Sequence, residues 1–106
     1  MGSLREAVAS VDVTDPVAHG RLLFGKRGCA GCHALAAADA TATLGPNLDQ
    51  VAARLAASDI RRSILEPGSQ VAKCGDQPCR AQMPSYTGVL DETQVEALTA
   101  FLQQQR

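Results

Sequence analysis

Cys29-Ala30-Gly31-Cys32-His33 is the run on which the reading of this chain turns. Two thiols three positions apart, followed at once by an imidazole, have the spacing for covalent attachment of a c-type haem. That chemistry needs two thiols about one helical turn apart, able to add across the two vinyl groups of one porphyrin. It also needs a nitrogen donor that reaches the iron from the same side. Cys29, Cys32 and His33 supply all three, and the small Ala30 and Gly31 let the backbone lie close to the ring. A Cys-x-x-Cys of the thioredoxin kind would open a helix after a strand, whereas this pair closes a helical pattern. A four-cysteine zinc site completed by Cys74 and Cys79 is the alternative that stays open, as a haem-free structural module, although it leaves His33 without a role.

The rest of the chain agrees with a cofactor. At 106 residues there is room for one compact domain. Hydrophobic residues make up 45% of it, but 18 of them are Ala and the only aromatics are Phe24, Tyr86 and Phe101. So few large apolar side chains make a thin core, and a staple or a bound group is expected to complete it. Ten basic against eleven acidic residues give a net charge of −1, with no run of Lys or Arg. That excludes nucleic acid, whose binding rests on clustered cations. No apolar stretch approaches the 18 or so residues of a membrane span, so no direct membrane insertion is expected. Met1-Gly2-Ser3 lacks the basic and apolar regions of a secretory signal.

Residues 1–14 carry no helical period and read as an arm or linker, with the domain expected over 15–106. Asp15 is a helix cap with Pro16 at the first helical position. The spacing predicts a helix over 17–27 with Val17, Gly20, Leu23 and Phe24 inward, running straight into Cys29. Residues 34–43 read as irregular, and Gly45-Pro46 breaks the chain. Asn47 is expected to cap a short helix to about residue 57, and Ser58 a second over 59–66, stopped by Pro67-Gly68. Residues 67–90, rich in Pro and Gly, read as a long functional loop. Asp91 and Gln94 form a capping box before the stripe Val95, Leu98, Phe101 and Leu102. With no convincing alternation anywhere, the fold class is all-α.

If His33 binds iron, the opposite face needs a donor. Met83 is the candidate, because the other methionine is Met1 and Pro84 fixes the backbone beside Met83 in the long loop. Methionine alone more often fills a core gap; the upstream motif is what gives Met83 this role. His19, ten residues before Cys29 on the helix leading to the same side as His33, reads as an ordinary helix residue.

Taken in order, these motifs resemble a class I monohaem cytochrome c over about residues 17–103. The resemblance implies the cytochrome c fold, with N- and C-terminal helices crossing and short helices and long loops around one covalent haem c. Gly20-Arg21-Leu22-Leu23-Phe24 is similar to that family's first helix, whose glycine admits the C-terminal helix and whose aromatic, here Phe24, packs near the haem. Gly45-Pro46-Asn47-Leu48 is similar to the segment in which a proline carbonyl, here that of Pro46, accepts a hydrogen bond from the imidazole. Met83-Pro84 resembles the bacterial form of the distal segment. The implied cofactor residues are Cys29, Cys32, His33, Met83, Pro46 and Phe24, with His33 and Met83 ligating the iron.

More finely, Ile64-Leu65-Glu66-Pro67 with Met83-Pro84-Ser85-Tyr86 resembles haem domains of membrane-anchored respiratory proteins, such as subunit II of bacterial haem-copper oxidases. Cys74-Gly75-Asp76-Gln77-Pro78-Cys79 departs from the pattern and is expected to hold a disulfide. With both axial positions filled, the implied work is electron transfer and not catalysis, between redox protein partners acting as donor and acceptor. Lys26, Arg27, Lys73 and Arg80 are the cations that would face an acidic partner, and a monomer is expected. Attachment of haem c outside the bacterial cytoplasm implies the periplasm or the outer face of the cytoplasmic membrane.

Overall fold

The computed structural model describes residues 15–67, 73–74, 77–79 and 83–106. The expected arm at 1–14 and Arg80 lie outside the described residues. Helix α1 spans Pro16–Lys26 and starts as its sequence dictates: one Asp15 carboxylate oxygen accepts from the N–H groups of Val17 (3.1 Å) and Ala18 (3.4 Å), and Pro16 has no N–H to satisfy. It does not run into Cys29 as expected. The chain leaves the helix at Arg27, and Gly28 takes a left-handed φ of 86°, which a glycine adopts without steric cost. Only then does the single 3₁₀ turn Cys29–Gly31 begin.

The Ala-rich stretch is more ordered than its composition suggests. β1 (Ala34–Leu35) pairs antiparallel with β2 (Ala40–Thr41), in the register Ala34↔Thr41 and Leu35↔Ala40. A 3₁₀ turn at Ala36–Ala38 and a left-handed Asp39 (φ 54°) close the hairpin. Arg21 holds it to α1 through a 2.7 Å hydrogen bond from Nε to the Ala37 carbonyl. Helix α2 is short, Val51–Arg54, and α3 spans Ala57–Leu65. Both caps differ from expectation. The Asn47 side chain is taken up by the Asp49 N–H (2.7 Å), so α2 waits for Gln50, and Ser58 lies inside α3, which is entered at Ala56. A second two-residue hairpin, β3 (Lys73–Cys74) with β4 (Gln77–Pro78), falls in the long loop. These four strands are too short to leave an alternating pattern in the sequence, and the fold remains predominantly helical.

Helix α4 spans Glu92–Gln103 and carries the expected capping box: Asp91 accepts from the Gln94 N–H (2.8 Å) and the Gln94 side chain accepts from the Asp91 N–H (3.0 Å). It crosses α1 in close contact. A Cβ on Gly20 would collide with the Ala97 carbonyl oxygen and lie 2.6 Å from Phe101 Cβ, so the crossing requires glycine. Beside it Phe24 and Phe101 meet edge to face, centroids 6.1 Å apart at 64°, an arrangement worth about 0.5–1.5 kcal/mol beyond the area buried. Leu23, Leu35, Val51, Ile60, Ile64, Val95, Leu98 and Leu102 complete a core in which α1 and α4 are the frame. Among the described residues no helix is long and apolar enough to cross a membrane.

Candidate functional site

The site grows from the turn that ends α1. The His33 N–H donates to the Cys29 carbonyl (2.9 Å), so the 3₁₀ turn carries both cysteines and the histidine as one unit. Cys29 and Cys32 are free thiols, each half-buried. Burial pushes the Cys29 thiol up from its ordinary range, and a hydrogen bond with the Tyr86 side chain partly offsets this. His33 is only 9% exposed.

The 45–49 segment holds the imidazole in place. Gly45 N–H donates to the Cys32 carbonyl (2.6 Å), Leu48 N–H to the Ala34 carbonyl (2.9 Å), and an Asp49 carboxylate oxygen accepts from Ala36 N–H (2.7 Å). Arg54 adds a 3.0 Å bond to the Asn47 carbonyl from α2. The segment so pinned places the Pro46 carbonyl oxygen 2.8 Å from His33 Nδ1. A carbonyl can only accept, so Nδ1 carries the proton and the lone pair is left on Nε2. Gly45 lies against the ring: a Cβ there would stand 2.6 Å from Cε1, 2.8 Å from Nδ1 and 3.2 Å from Nε2.

Met83 is half-buried, and the residues that follow it are firmly tied. Ser85 Oγ and Thr87 Oγ1 both donate to the Leu65 carbonyl (2.7 and 3.0 Å), and Tyr86 N–H donates to that of Ile64 (3.2 Å). Phe24 sits in the core against Phe101, one turn and a loop upstream of Cys29. His19 is half-buried in α1, its Nδ1 without a hydrogen-bond partner among the described residues.

Cys74 and Cys79 are joined in a disulfide, Cα atoms 5.0 Å apart. Sulfurs bonded to each other are not thiolates, so the four-cysteine zinc alternative loses two of its ligands and is set aside. The bridge lies next to the start of the 45–49 segment, with Cys74 Sγ 3.5 Å from the Leu44 carbonyl oxygen.

In the sequence Gly45 and Tyr86 stand only as members of longer runs, Gly45-Pro46-Asn47-Leu48 and Met83-Pro84-Ser85-Tyr86, with no role of their own. The contact of Gly45 with a ring twelve positions earlier exists only in the folded chain, and the Tyr86 hydroxyl donates to the Arg27 carbonyl at 2.6 Å.

The residues present fit a covalent haem: two unpaired thiols, an adjacent imidazole with its lone pair on Nε2, and a core short of large side chains. Residues 17–106 match the Cytochrome c family, to which this chain belongs. A solved structure, the c-type cytochrome SorU from Sinorhizobium meliloti, is similar with a TM-score of 0.60 and 27% identity. The match covers 87% of this chain and 92% of that one. No curated protein matches. The cytochrome c fold and haem-based electron transfer through haem c follow from the family, as does a need for redox partners.

Proposed function

We propose that this cytochrome passes single electrons between protein partners through a haem c linked to Cys29 and Cys32, with His33 and Met83 as axial ligands. When bound, the haem supplies a one-electron couple between ferrous and ferric iron. The observation that carries the reading is the 2.8 Å hydrogen bond from His33 Nδ1 to the Pro46 carbonyl, which would leave Nε2, on the residue next to Cys32, as the nitrogen able to bind iron. Pro46 fixes the tautomer and orientation of the ring, and Gly45 leaves room for it. Phe24 walls the interior side. Met83 would supply a neutral thioether as the second iron ligand, a pairing with imidazole that raises the reduction potential. With both positions filled no site is left for a substrate, so the protein acts as a carrier or relay and not as an enzyme.

The setting we assign is extracytoplasmic, in the periplasm or on the outer face of the cytoplasmic membrane, as a free carrier or as the haem domain of a membrane-anchored respiratory oxidoreductase. The Cys74–Cys79 disulfide supports it, since such bonds persist in oxidising compartments. Partners would approach the attachment edge, where Lys26 and Arg27 are exposed. The visible spectrum of the purified holoprotein tests the reading. A reducible c-type spectrum that survives acid-acetone extraction is expected, and a colourless protein or an extractable haem would overturn it.

A further inference from the structure

Tyr86 uses every polar group it has to join three parts of the fold. Its N–H donates to the Ile64 carbonyl at the end of α3 (3.2 Å). Its carbonyl accepts from Val89 and Leu90 (3.0 and 3.1 Å), just before α4. Its hydroxyl crosses to the turn that opens the attachment motif and donates to the Arg27 carbonyl (2.6 Å). The ring packs half-buried against the core. Burial pushes the phenol up from its ordinary range, so it stays a proton donor.

The Arg27 carbonyl lies between the end of α1 and Cys29, at the left-handed Gly28 turn that opens the attachment motif. On haem attachment the Cys29 S–H would add across a vinyl group, its hydrogen passing to carbon, and the resulting thioether would be only a weak acceptor. Arg27 is then the strong partner left to the hydroxyl. Met83 is three residues away, a reach of at most about 10 Å along the chain.

We propose that Tyr86 is a positioning residue for the axial methionine: its hydroxyl latches the Met83 segment to the haem-attachment turn and so holds the distance between the two sides of the iron. The proposal rests on Met83 ligation. Ser85 and Thr87 tie the same segment to Leu65, whereas among the described residues the Tyr86 hydroxyl alone ties it to the turn that would carry the haem. Without the latch the thioether competes less well with an outside donor, while the core is left intact.

The test is the affinity of the ferric holoprotein for imidazole, which must displace Met83, measured in the parent, Tyr86→Phe, Met83→Ala and the double variant. The expected order is weak binding by the parent and tight binding by Met83→Ala. Tyr86→Phe should lie between them, about five- to tenfold tighter than the parent, as loss of one net hydrogen bond implies. The double variant should match Met83→Ala, because a latch that acts through Met83 has nothing left to hold. Parent-like affinity of Tyr86→Phe beside tight binding by Met83→Ala would overturn the latch and leave the ligand standing. A Tyr86→Phe gain of the same size in the Met83→Ala background would show general loosening and also overturn it. A parent that binds as tightly as Met83→Ala would remove the methionine ligand and the latch with it.

Discussion

His33 Nδ1 donates to the Pro46 carbonyl oxygen across 2.8 Å, and the glycine before that proline lies flat against the same ring. The two contacts divide the labour: the carbonyl selects the tautomer, and the missing side chain of Gly45 sets how near the loop can come. Gly45→Ala should therefore displace the imidazole or push the Pro46 carbonyl away from it. We expect a reduced yield of haem-loaded protein and a shifted reduction potential in what is recovered. Parent-like yield and potential would mean that the loop accommodates the methyl group by moving elsewhere.

The crossing of α1 and α4 makes a separate prediction. Gly20→Ala gains helix propensity, about 1 kcal/mol, but forces its Cβ into the Ala97 carbonyl and Phe101. Backbone cannot rotate out of the way as a side chain can. The net loss should be roughly 1–3 kcal/mol, read as a lower melting temperature of the holoprotein. Gly25→Ala, where an added Cβ meets nothing within 4 Å, should be neutral or stabilising.

Much of this was legible because covalent chemistry and local capping leave marks close together in the sequence. Cys29, Cys32 and His33 must be adjacent to serve one porphyrin, and the Asp91–Gln94 box closes within one turn of helix. The misplaced caps have the opposite cause. Asn47 has the right side chain for a cap, but a local turn to Asp49 captures it first. Gly45 and Tyr86 stand in runs that carry the resemblance, but their individual roles were not legible because their partners, His33 and Arg27, are distant in sequence. The helix predicted to reach Cys29 stops early because a single left-handed glycine, Gly28, re-aims the chain.

The disulfide predicts a difference in the distal loop. Cys79 is four residues before Met83, and the closed loop is short, worth roughly 2 kcal/mol on the loop-closure model. Intact mass after alkylation should find no free thiol until reductant is added. Cys74→Ser/Cys79→Ser should then lose its methionine ligand at milder denaturant than the parent. Equal resistance would make the bridge a structural staple only.

Arg61 and Glu92 join α3 to the start of α4 through two contacts of 2.8 and 2.6 Å. The hydrogen bond from Arg61 holds the Glu92 carboxyl below its ordinary range. A depressed carboxylate stabilises the fold above its unfolded pKa and loses that contribution as pH falls through the folded value. Arg61→Gln should thus melt slightly lower than the parent at neutral pH, slightly because both side chains are exposed. The gap should close as the pH drops below the ordinary carboxylate range. A gap unchanged in acid would assign the effect to packing of the arginine stem.

The central claim is an iron held between His33 and Met83, and the most direct measurement is the ferric absorption spectrum, taken with the reduction potential, of the parent and of Met83→Ala. The account predicts a sulfur-to-iron band in the parent, its loss in Met83→Ala with a lower potential, and no change in His19→Ala. A parent without that band, or a Met83→Ala variant that keeps both band and potential, would contradict it.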